Sequence, residues 1–165
     1  MIQEDQNTVR LALRRRAMDL LARREHTRHE LSKKLSAAFQ RSEQEICSGV
    51  LAEVLDKLEQ DKLLSDSRFT ESYVNGRMSR GYGPLYIRHK LREKQVDGAL
   101  LDHNLEQLDQ EQWIEQLSAL IRRRVGDAGL PAWGSKEHAK LQRFILSRGF
   151  TSAQWREVEK RFKSP

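Results

Sequence analysis

The sequence predicts an all-α protein made of tandem three-helix repeats that form an elongated, curved molecule. Three features lead there. Strand-like alternation is nearly absent, while apolar residues recur at helical spacing. The apolar stripes are separated by residues suited to cap helices. Two stretches also match at a constant offset of 54 positions: Ile87-Arg88-His89-Lys90-Leu91 with Lys94-Gln95-Val96-Asp97, and Leu141-Gln142-Arg143-Phe144-Ile145 with Arg148-Gly149-Phe150-Thr151. Each contains an apolar pair, a basic residue at a helix end, an apolar plug and an N-cap; Leu31 and Leu35 match the first pair more loosely. Small helical trios bury little alone, so neighbouring repeats must stack, which favours long surfaces over one deep pocket.

The first repeat is expected over residues 8–62. Val9, Leu13, Ala17, Leu20 and Leu21 make its first stripe. Thr27 and Glu30 have the spacing of a capping box ahead of Leu31 and Leu35, and Ser42 with Glu45 repeat that signature before Ile46, Val50, Val54, Leu55 and Leu58. The second repeat, 65–108, opens on Ser65 as N-cap and runs through Phe69, Tyr73 and Val74. Gly81 and Gly83 suit a tight turn, and Pro84 suits the first turn of the next helix, whose apolar face is Ile87 and Leu91. Helices are expected over 66–80, 84–95 and 97–107, the last capped by Asp97. The third repeat, 109–163, has a first stripe of Trp113, Ile114, Leu117, Leu120 and Ile121, then a break from Gly126 to Gly134 around Pro131. Leu141, Phe144 and Ile145 form its next helix, Gly149 ends that helix, and a Thr151–Gln154 capping box precedes Trp155, Val158 and Phe162.

Of the 165 residues, 38% are hydrophobic and 33% charged, which argues for thin helical layers over a single large core; the net charge is +6. The charge is unevenly spread. Between positions 77 and 94 stand Arg77, Arg80, Arg88, Lys90, Arg92 and Lys94 against Glu93 alone, whereas 97–116 carries six carboxylates and no Lys or Arg. Cys47 is the only cysteine, so there is neither an intrachain disulfide nor a thiolate cluster for zinc. No stretch approaches the ~20 apolar residues of a membrane span, and the N-terminal residues lack an apolar signal run. The chain is expected to be cytoplasmic, soluble and monomeric, with no membrane partner.

No catalytic constellation is evident, and neither enzymatic activity nor a cofactor is expected. His26 and His29 could share a helix face but lack a third ligand nearby, and surface or cap-region positions suit them better. Gly81-Tyr82-Gly83 lacks the Lys-Ser/Thr of a phosphate loop. Basic residues are the better candidates. Arg77, Arg80, Arg88, Lys90, Arg92 and Lys94 form a surface denser than caps or pairs require, and guanidinium groups offer planar, bidentate donors to phosphate or carboxylate. Tyr82, among these charges, either stacks on a base or partner side chain or plugs a seam between helices. Arg14, Arg15, Arg23 and Arg24 are weaker candidates, as are Arg122, Arg123 and Arg124, which would equally complement a helix dipole. Phe69, Tyr73, Trp113, Trp133 and Trp155 are expected in core or seam positions.

Leu64-Ser65-Asp66-Ser67-Arg68-Phe69, then Gly81-Tyr82-Gly83-Pro84, then Ile87, Leu91, Lys94 and Val96 resemble the core of the RecX family, bacterial regulators of the RecA recombinase. The likeness extends upstream over Ala17–Leu35 and downstream over Leu141–Phe150; Gln95 stands where the family usually has Gly. The resemblance implies tandem three-helix repeats and a negative regulator of RecA. Such a protein binds the recombinase and its nucleoprotein filament on single-stranded DNA, with double-stranded DNA a further candidate. It blocks filament extension or promotes disassembly, and so lowers ATP hydrolysis, strand exchange and co-protease activity in DNA repair and the SOS response. The alternative is a stand-alone basic helical module whose only target is nucleic acid.

Overall fold

The structure, a computed structural model, describes residues 2–40 and 48–163; the Ser42–Glu45 signature, Ile46 and Cys47 lie outside them. Among the described residues there are nine α-helices and no strand: α1 (Ile2–Leu21), α2 (Arg28–Gln40), α3 (Ser48–Gln60), α4 (Asp66–Ser79), α5 (Pro84–Glu93), α6 (Gly98–Glu106), α7 (Gln110–Val125), α8 (Lys136–Ser147) and α9 (Ser152–Lys163). The all-α expectation holds, with α5 ending two residues earlier than its spacing suggests and α1 reaching back to Ile2.

The backbone groups into two compact units. One gathers the described residues through Phe69 together with Lys94–Val96; the other holds Thr70–Glu93 and the residues from Asp97 onward. In the first, α1, α2 and α3 pack against one another. Their stripes meet in a core of Leu13, Ala17, Leu31, Leu35, Phe39, Val50, Val54, Leu55, Leu58 and Leu64. Each of the Leu, Val and Phe side chains contributes about 1.5–3 kcal/mol on leaving water. Thr27 caps α2 by accepting the Glu30 N–H at 3.0 Å. The return half of the box is replaced: the Glu30 carboxylate turns to Arg24 at 2.5 Å, because that guanidinium is a stronger donor than a backbone amide.

In the second unit, α7 packs on α9, α8 on α9 and α5 on α6. Trp113, Leu117, Ile121, Leu141, Ile145, Phe150, Trp155 and Val158 are buried there, as are Ile87, Leu91, Leu101 and Leu105. The caps are as expected: Asp97 accepts from Ala99 and Leu100, and Thr151 and Gln154 exchange both bonds of a capping box at 2.9 and 3.1 Å. Ser65, in the first unit, accepts from Arg68 N–H at 3.2 Å. Trp133 departs from the core or seam expectation. It is 72% exposed, because the link between α7 and α8 is not helical there and presents no periodic face to bury it. His26 takes the cap-region alternative over the surface one: it is 2% exposed, beside the Thr27 cap.

Candidate nucleic-acid and partner interface

The site begins at a turn where backbone meets backbone. α4 closes with Gly81 at φ +77°, its N–H donating to the Met78 carbonyl and the Tyr82 N–H donating to the Arg77 carbonyl. The Gly83 N–H donates to the Arg148 carbonyl at 2.8 Å, and the Leu85 N–H to the Gly149 carbonyl at 3.0 Å. A Cβ on Gly83 would stand 2.5 Å from Gly149 backbone atoms, so no side chain fits. The two glycines of Gly81-Tyr82-Gly83-Pro84 thus end one helix and admit the end of α8 against the start of α5.

This contact brings Arg148 onto Tyr82. The Arg148 guanidinium lies 4.6 Å from the Tyr82 ring centroid and 5.1 Å from that of Phe144. Arg124 covers Phe144 at 3.9 Å. On the other side Arg77 lies 5.6 Å from Tyr82 and 5.0 Å from Tyr73, and Tyr82 stacks on Tyr86 with centroids 4.2 Å apart and planes at 25°. The result is a ladder of alternating guanidinium groups and rings: Tyr73, Arg77, Tyr82, Arg148, Phe144, Arg124. Cations bind ring faces through the quadrupole. A guanidinium placed over a ring spends none of its N–H donors on a carboxylate, which leaves them for a bidentate carboxylate or phosphate. Arg77, Arg148 and Arg124 have no ion pair or side-chain hydrogen bond among the described residues, so these donors are uncommitted.

The other candidates divide. Arg80 and Arg92 are exposed and without an ion pair among the described residues. Arg88 is paired with Asp102. Lys90 donates to Glu93 at 2.7 Å, a bond that holds Lys90 above its ordinary pKa and Glu93 below its own. Lys94 stands 3.8 Å from Glu30 and over the Phe69 ring in the first unit. Arg122 lies over Phe162, and the Arg123 Nε donates to the Ala119 carbonyl. Arg148 was absent from the sequence-based candidates, although its match to Lys94 in the repeat was a usable signal.

In the first unit Arg14 is tied to Asp61 at 2.9 Å and Arg24 to Glu30, while Arg15 and Arg23 are exposed and unpaired among the described residues. Glu30 gathers Arg24, His26, Lys34 and Lys94 within 3.9 Å. Burial pushes its carboxyl up, but Arg24, Lys94 and His26 together bring it below its ordinary value. His26 is pushed down by burial first, then by Arg24 and Lys34. Among the described residues no group of three His, Cys, Asp or Glu is placed to hold a metal ion, and no helix is long and apolar enough to cross a membrane.

Residues 65–103 match the family model described as RecX, second three-helix domain. The chain is 39% identical over 145 residues to the regulatory protein RecX of Halorhodospira halophila, covering 88% of this chain and 84% of that one. It is 36% identical to the protein of the same name from Pseudomonas entomophila, covering 86% and 85%. A crystal structure of RecX from Lactobacillus salivarius superposes with a TM-score of 0.75 at 21% identity, covering 97% of each chain, and is similar in fold. With more than a third of its residues shared over most of its length, and a three-helix family domain placed on α4, α5 and most of α6, the chain belongs to the RecX family of regulatory proteins.

Proposed function

We propose that this protein is a negative regulator of the RecA recombinase, acting as a monomer without a cofactor. It binds the RecA filament on single-stranded DNA, blocks its extension or promotes its disassembly, and so lowers ATP hydrolysis, strand exchange and co-protease activity during DNA repair and the SOS response. The three repeats, 8–62, 65–108 and 109–163, are its binding modules, and modest contacts linked along one chain add as avidity. The observation that carries this reading is the ladder of Arg77, Tyr82, Arg148, Phe144 and Arg124, with guanidinium donors pre-positioned and uncommitted. The test is RecA ATP hydrolysis on single-stranded DNA, with this protein titrated well below the recombinase concentration. Inhibition while free DNA remains in excess is expected.

Arg15, Arg23, Arg80 and Arg92, exposed and without an ion pair among the described residues, favour a second reading, a module that binds nucleic acid alone. Inhibition only once the DNA is saturated would select it. So would a single-strand affinity falling with salt by a log–log slope of about −0.7 per neutralised phosphate, with no residual recombinase binding.

A further inference from the structure

The link between α7 and α8 carries a tryptophan that the ladder does not use. Trp133 is 72% exposed, whereas Trp113 and Trp155 are 2% and 1% exposed. Its ring is nevertheless supported. His138 lies 4.9 Å away at 56°, is itself buried, holds its Nε2 2.5 Å from Glu159 Oε1, and packs 5.7 Å from Trp155. Ser135 steadies this support by accepting the His138 backbone N–H at 3.1 Å. A large ring left in water above a built, buried scaffold forgoes burial that the adjacent core would otherwise supply.

The charge around the ring indicates what covers it. Lys163 Nζ stands 4.9 Å from the Trp133 centroid. Lys136 and Lys140 follow on α8, exposed and without an ion pair among the described residues, against the exposed Glu137. Glu159 on α9 is buried and paired with His138, so its charge is withdrawn from the surface beside the ring. A protein partner's apolar pocket would call for apolar neighbours; an aromatic face among lysines suits a π-face that carries phosphates. We infer that Trp133 is a stacking platform for an unpaired base of a single-stranded nucleic acid, with Lys163 meeting the adjoining phosphate. Bases within a duplex are already stacked and do not fit an isolated ring. The inference depends on neither the ladder nor the recombinase.

The test uses the full chain alone, an oligothymidylate, and an abasic oligomer of the same length. Oligothymidylate is expected to quench tryptophan fluorescence, and the abasic oligomer and duplex to leave it unchanged. Trp133→Ala should weaken oligothymidylate binding by about 5- to 100-fold, down to the affinity for the abasic oligomer. Trp133→Phe should keep most of the affinity, and circular dichroism should show both variants folded. Unchanged oligothymidylate affinity in Trp133→Ala overturns the proposal, as does an equal loss for both oligomers. Intact oligothymidylate binding with lost inhibition of RecA would assign the ring to a protein partner and overturn it too. Should Trp133→Ala fail to fold, quenching of the wild type by the abasic oligomer as strongly as by oligothymidylate would overturn it equally.

Discussion

The same helix ending is made twice in this chain, and by different means. At the end of α5, Lys94-Gln95-Val96-Asp97 is held by side chains: the Thr27 hydroxyl donates to the Lys94 carbonyl at 3.4 Å and the Lys94 ammonium faces Glu30. At the end of α8, Arg148-Gly149-Phe150-Thr151 is held by backbone, with Gly83 and Leu85 donating to two successive carbonyls. Both ends pass through the left-handed region, Gln95 at φ +55° and Gly149 at φ +86°. Gln95 borders an open cleft of about 450 Å³ in the first unit, with room for its side chain. A Cβ at Gly149 would collide with the backbone N and Cβ of Tyr86. Where backbone touches backbone the residue is fixed as glycine; where a cleft faces it, the chain tolerates a glutamine at a strain of about 1–2 kcal/mol.

The largest test of this contrast is Gly149→Ala. Left-handed strain and the collision with Tyr86 should together cost about 3 kcal/mol, read as a fall in the urea midpoint at unchanged slope. A loss below 1 kcal/mol would mean that the two ends are interchangeable. Next is Thr27→Val, which removes both the cap of α2 and the donor to Lys94 while keeping the shape, at a cost of about 1–2 kcal/mol by the same assay. A third test uses pH. His26 is held below its ordinary 6.5 by burial, Arg24 and Lys34, so the unfolded chain takes up a proton that the folded protein refuses. Stability should be full above pH 6.5 and decline as the pH drops from there toward the folded value. His26→Gln should flatten that decline; an unchanged slope would place the titration elsewhere. Glu30, held below its ordinary 4.5, adds a separate loss at lower pH still. The smallest effect is Gln95→Gly, which relieves strain but loosens the unfolded chain, for a net gain of a few tenths of a kcal/mol. A clear loss of stability would show that the Gln95 side chain is itself a support.

The helices were legible because their information is local. Ser65, Asp97 and the Thr151–Gln154 pair cap where their spacing indicates, and stripes such as Leu13, Ala17, Leu31 and Leu35 are buried. The ladder was half legible. The basic run and Tyr82 stand out in sequence, but Arg148 reaches Tyr82 only because the end of α8 meets the Gly83 turn, and Arg124 reaches Phe144 only across from α7 to α8, pairings no local window contains. Pairing also removed candidates: Lys90 meets Glu93 at ordinary i,i+3 helical spacing, which the sequence shows, whereas Arg88 meets Asp102 on the next helix, which spacing alone does not select. Trp133 was misjudged for the opposite reason: a bulky apolar residue implies burial, and only the irregular link shows that none is offered.

The junction of Gly83 with Arg148 and Gly149 also sets an order of events during synthesis. The Gly83 and Leu85 amides emerge long before the carbonyls that accept them. At about 5–20 residues per second, translation leaves these donors to water for several seconds while α4 and α5 are already complete. The nascent chain therefore carries a finished helix pair with an open seam, and the Tyr82 ring gains its Arg148 cover only when α8 has been made. The second unit can close only from its carboxyl-terminal side, and a stalled or truncated chain would expose the seam that the complete one conceals.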